Sequence, residues 1–98
     1  MPRPFARRRI CAEPEVTYYK PAGVPLREME EVSLGFDEFE ALRLVDFLAM
    51  GQEDAGEKMG ISQPTLSRVI SSARKKIAEA LTQGKALRIE GGNYELKR

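Results

Sequence analysis

The residues best suited to chemistry lie close together. Gln63, Pro64, Thr65, Ser67, Arg68 and Ser71 stand in the first turns of a long amphipathic segment, among small polar and basic neighbours. Their chemistry is recognition by hydrogen bonding. Arg68 carries a planar fork of donors that fits the two acceptors on a guanine edge, and Gln63 can both donate to and accept from adenine. These six are therefore candidates for base contacts in duplex DNA. Ser62, Arg74, Lys75 and Lys76 are candidates for phosphate contacts, together with the N-terminal end of the helix itself. A second account of Arg74-Lys75-Lys76 is a basic run that favours the helix dipole. Arg3, Arg7, Arg8 and Arg9 form another basic group. It suits a flexible arm reaching into a minor groove, or a solubilising tail.

Catalytic chemistry finds little support. The chain has no histidine, which removes Ser-His-Asp and Cys-His nucleophile systems and the commonest general base. No glycine-rich phosphate loop is present. Asp37, Glu38 and Glu40 are better read as helix-capping groups than as a catalytic cluster. One cysteine, Cys11, excludes an internal disulfide and suits a reducing compartment. No catalytic residue, metal site or cofactor is expected, and the chain is read as a non-enzyme.

The elements that must position Arg68 follow from local patterns. Ser62 is an N-cap, and Pro64 falls in the first turn, where a missing N–H does little harm. The recognition helix spans about 63–82 and ends at Gly84. Leu66, Val69, Ile70, Ala73, Ile77, Ala80 and Leu81 share its inner face at helical spacing. Before it, Gln52–Met59 forms a short acidic helix ended by Gly60, with Ala55 and Met59 on one side. Ile61 is a buried plug between the two. This is the layout of a helix-turn-helix. Upstream, a helix begins at Asp37 and runs to about Leu48. Phe39, Leu42, Leu44 (a weaker member), Val45, Phe47 and Leu48 make its broad apolar face, and Gly51 stops it.

Residues 1–25 hold five prolines, so a long helix is excluded there. They read as an arm with an extended piece near Val16–Tyr19. Residues 26–98 form the domain proper. Val32 and Leu34 alternate with polar neighbours. Ala86–Glu90 and Tyr94–Leu96 flank Gly91-Gly92-Asn93, the pattern of a small hairpin. The first arm of that hairpin could instead pair with the strand near Val32. The expected fold is mainly α: a three-helix core with a small β-hairpin or short strand pair.

Ninety-eight residues allow one domain, and 42% hydrophobic residues allow it a core. The net charge is only +1, but it is segregated. Residues 1–22 carry +3, residues 23–62 carry −7 and residues 63–98 carry +5. Basic ends around an acidic middle point to a polyanion partner. The acidic stretch 28–57 would face away from it, towards a protein partner or second subunit. No apolar run approaches the roughly 18–20 residues that span a bilayer. The expected location is the cytoplasm.

Several stretches together resemble the UPF0251 or DUF134 family of small prokaryotic proteins. They include Met1-Pro2-Arg3-Pro4, the run Tyr19-Lys20-Pro21-Ala22-Gly23-Val24-Pro25-Leu26-Arg27, and Glu57-Lys58-Met59-Gly60-Ile61-Ser62. Ser72-Ala73-Arg74-Lys75-Lys76-Ile77-Ala78 and the tail Gly84–Gly92 continue the match. The helical core also looks like the fourth region of bacterial sigma factors. The resemblance implies a DNA-binding helix-turn-helix, and a sequence-specific transcriptional regulator working as a homodimer is expected. An interaction module without DNA binding is the alternative. The chain departs from the family at Gly56, where the family commonly has alanine. It departs again at Gln63 and Pro64, which points to a different base sequence or a lower affinity.

Overall fold

The computed structural model describes residues 7–96. Its elements run β1 (Arg9–Ile10), β2 (Tyr18–Tyr19), β3 (Glu31–Leu34), α1 (Phe36–Leu42), α2 (Gln52–Met59), α3 (Gln63–Gln83), β4 (Ala86–Ile89) and β5 (Glu95–Leu96). The three helices and five short strands pack into one small domain.

Ala41 and Leu44 from the first helical stretch meet Ala55 and Met59 from α2 and Leu66, Val69 and Ile70 from α3 in the larger core cluster. Fully burying a side chain such as Met59 or Leu66 contributes roughly 1.5–3 kcal/mol. A second cluster joins the middle of α3 to the sheet through Leu34, Ala73 and Ile89, with Phe36, Phe39, Leu42 and Leu87 against them. The core-facing residues of α3 before Ala78 are thus those its periodicity predicts.

The hairpin does not form; β4 pairs instead with the strand at Val32, the alternative that its sequence also allowed. β4 lies between β2 and β3, antiparallel to β2 and parallel to β3, with Val32 opposite Leu87 and Leu34 opposite Ile89. β5 pairs with β1 instead of β4. Alternation marks a strand but not its partner, and here β4 buries Ala86 and Ile89 by lying beside β3. The arm expected over residues 1–25 is likewise threaded onto the domain from Arg7 onward. Ile10 is only 2% exposed, and its neighbour Cys11 donates its backbone N–H to Glu40 at 2.9 Å.

The first helix starts one residue early, with Gly35 as N-cap. Glu38 therefore supplies the capping carboxylate, accepting the Gly35 N–H at 2.7 Å, and Asp37 is left to other work. The helix also does not run unbroken to Leu48. From Arg43 to Phe47 it widens into a π turn, and the Leu48 N–H donates to the Arg43 carbonyl at 2.9 Å. Each π turn holds more residues than an α turn, which shifts every later side chain around the axis. Phe47 consequently leaves the apolar face and is 81% exposed. Ala49, with φ of 57°, ends the run, and Gly51 is the N-cap of α2 instead of a stop.

Candidate nucleic-acid interface

α2 and α3 are joined by Gly60-Ile61-Ser62. Gly60 adopts φ of 69°, a conformation that side chains with a Cβ resist. The Ile61 N–H donates to the Gly56 carbonyl at 2.9 Å, closing the end of α2. A Cβ on Gly56 would stand 2.9 Å from the Ile61 carbonyl oxygen. Glycine here lets the turn fold tightly onto α2, which offsets its poor helix propensity.

Ser62 then caps α3 as its sequence position predicts: its Oγ accepts the Thr65 N–H at 3.3 Å. Beneath the first turns, Leu66, Val69 and Ile70 are buried. Above them, Gln63, Pro64, Ser67, Arg68 and Ser71 are exposed, and Thr65 is half-buried. Five of the six candidate base-contact residues are thus open to solvent, while Thr65 is partly covered and its hydroxyl accepts from Ser62 Oγ at 2.9 Å. No acidic residue occurs in α3 before Glu79.

The candidate phosphate contacts divide. Lys75 is exposed. Arg74 forks onto Asp46, with Nη2 at 2.6 Å from Oδ1 and Nε at 3.0 Å from Oδ2. The Arg74 hydrogen bond holds the Asp46 carboxyl below its usual range. Both side chains are largely exposed, so this pair is weak and Arg74 can exchange Asp46 for another anion. Lys76 is different. Its Nζ lies 2.8 Å from Oε1 of Glu38, and Ser72 Oγ donates to the other oxygen at 2.6 Å. Burial pushes the Glu38 carboxyl up, but hydrogen bonds from Lys76, Ser72 and the Gly35 N–H outweigh it and hold it below the ordinary value of 4.5. Lys76 is therefore committed to joining α3 to α1.

Two arginines of the expected arm, Arg8 and Arg9, are also held down. Arg8 Nη1 pairs with Asp37 Oδ2 at 2.6 Å, and that carboxylate is buried. The guanidinium of Arg9 lies over the turn, since a Cβ on Gly60 would meet its Nε at 2.8 Å. This brings a cation beside the start of α3 without a free arm. Arg7 is exposed, and Arg3 lies outside the described residues.

The acidic stretch 28–57 is not a single outward face. Asp37, Glu38 and Glu40 are buried, and Glu40 holds Arg43 at 2.7 Å. Glu31 takes Arg88 at 3.0 Å and the Tyr18 hydroxyl. Glu28, Glu53, Asp54 and Glu57 remain exposed. Two of the three tyrosines are used in packing: Tyr94 meets Phe36 edge-on at 4.9 Å, and Arg88 stacks over Tyr18 at 4.5 Å. Among the described residues no group of His, Cys, Asp and Glu is arranged to hold a metal, and no helix is long and apolar enough to cross a membrane.

A family described as "Protein of unknown function DUF134" matches residues 1–97. The chain belongs to that family. Its DUF134 relatives include proteins named UPF0251 from Moorella thermoacetica, Dehalococcoides mccartyi and Caldanaerobacter subterraneus subsp. tengcongensis. They are 55%, 56% and 52% identical over 96 residues, or 98% of this chain. The chain spans 64%, 82% and 81% of their respective lengths. No solved structure matches it. The resemblance read from the proline-glycine run and the tail is thus borne out over the whole described DUF134 domain.

Sequence reasoning missed two features of this DUF134 chain, the Glu38–Ser72–Lys76 cluster and the seating of Arg9 on the turn. Ser72 and Lys76 stand one helical turn apart, which is the only local signal for the first. Nothing local signals the second.

Proposed function

We propose that this protein binds double-stranded DNA with sequence specificity, as a transcriptional regulator. In this reading α2 and α3 are a helix-turn-helix of the sigma region 4 type, and the first turns of α3 enter the major groove. The observation that carries it is Arg68. It is exposed in the second turn of α3, flanked by Pro64, Ser67 and Ser71. The buried residues beneath it fix the helix that presents it.

Ser62, Lys75, Arg74 and Arg9 supply the phosphate contacts. Arg9 acts from its seat on the turn instead of as a minor-groove arm, and Lys76 acts indirectly by anchoring α3. Gln63 and Pro64 set the base preference apart from that of relatives with other residues there. The reading assigns no catalytic role to any residue.

Fluorescence anisotropy on duplex DNA across a salt series tests this. The log–log slope should be roughly −0.9 per phosphate contact. Arg68→Ala should weaken binding to a selected site by about 5- to 150-fold, the equivalent of roughly 1–3 kcal/mol. Absence of binding at low salt would overturn the reading. It would favour the alternative of a protein-interaction module, which the exposed apolar residues Phe47 and Leu81 support.

A further inference from the structure

We infer that the protein forms a two-fold dimer through the apolar groove between the C-terminal half of α3, the π turn and the sheet. The groove holds about 970 Å³ and is walled by Leu34, Phe39, Leu42, Ile77, Leu87 and Ile89. On its rim stand Phe47, 81% exposed, and Leu81, 79% exposed, with Tyr19 half bare.

Three observations identify the occupant as a second copy. The first is shape. A protruding Phe47 and a receiving groove lie on the same face, so a two-fold axis can seat each phenyl ring in the other copy's groove. The second is charge. Two rim cations are compensated within the chain: Arg43 by Glu40, and Lys85 by Glu79 and Glu30. Lys20 Nζ donates to the Val24 carbonyl at 2.7 Å and keeps its charge. Most of the rim charge is thus satisfied internally, so two identical faces meet with a like-charge penalty confined to the edge at Lys20. The third is area. Phe47, Leu81 and Tyr19 leave on the order of 500 Å² bare, within the range of the largest patch on a monomer. Two such faces together bury about 1,000 Å², the lower bound of a specific interface.

Placement agrees with the proposed DNA reading, on which this last point alone rests. Arg68 and Ala80 are separated along α3 by about 18 Å of helix rise. A two-fold axis passing near Ala80 would set the two Arg68 ends ~36 Å apart, the spacing of half-sites one DNA turn apart.

Sedimentation equilibrium without DNA tests the dimer. The wild type should dimerise, and Phe47→Glu and Leu81→Glu should each weaken dimerisation by about 30-fold or more, as expected for central interface residues. Both side chains are exposed in the single chain, so circular dichroism should show the variants folded. A monomeric wild type, or variants that dimerise unchanged, would overturn the inference. So would a monomer that binds the apolar dye anilinonaphthalene sulfonate one-to-one in the groove, since the groove would then be a ligand site. A dimer that binds no DNA leaves the inference standing and removes the DNA reading. A DNA-binding monomer does the reverse.

Discussion

The two ends of α3 are both open to solvent, but with opposite chemistry. The first turns expose Gln63, Ser67, Arg68 and Ser71, groups that water satisfies at little cost. The last turns expose Leu81 beside Phe47, surface that water disfavours by roughly 25 cal/mol per Å². Exposure at the first end needs no partner for stability, so a partner there is chosen by hydrogen bonding and charge. Exposure at the second end is itself an argument for something covering it. One helix thus carries an open polar surface and an open apolar surface, about four turns apart.

The comparison is broken most severely by removing what both ends share. Leu66→Ala empties a fully buried site under the reading turns and should cost about 2–5 kcal/mol in urea denaturation. If the loss is below 1 kcal/mol, the reading turns do not depend on that core. Arg68→Ala, by contrast, should leave stability within about 0.5 kcal/mol.

Glu38→Gln strikes the joint between α1 and α3. It leaves Lys76 without its anion and should destabilise by about 1–3 kcal/mol at neutral pH. The pH dependence sharpens the point. The folded-state value of Glu38 lies below its ordinary 4.5, so its contribution is present above that pH. It is lost as pH falls through the lower folded value. Wild-type stability should therefore drop on acidification more steeply than that of Glu38→Gln. Parallel curves would mean the carboxylate is not held as described.

Ser62→Ala removes the cap of the reading end only. A loss of about 1 kcal/mol is expected, readable as a lower Tm, with dimerisation untouched. The smallest effect concerns Gly56→Ala. Helix propensity alone predicts a gain of up to about 1 kcal/mol. The close approach of the Ile61 carbonyl predicts instead that stability falls by a comparable or smaller amount. A raised Tm would show that the turn yields easily.

The sequence by itself determined what is local. α2 is found at the predicted Gln52–Met59, the turn at Gly60-Ile61-Ser62, and α3 at Gln63–Gln83 against an expected 63–82. These follow from helical periodicity, a left-handed glycine and an N-capping serine, all legible within a few residues. Tertiary structure alone decided which distant groups meet. β4 chose β3 and β2 over the nearby β5, because the pleat marks a face and not a neighbour. Glu38 met Lys76, Arg8 met Asp37, and Arg9 settled on Gly60 across gaps that no spacing rule covers. Leu81 has the periodicity of a core residue and Phe47 the composition of one, yet both are bare. Periodicity states which side of a helix is apolar. Whether that side is covered depends on where the rest of the chain runs out, and in a domain this small the core ends before the apolar face of α3 does.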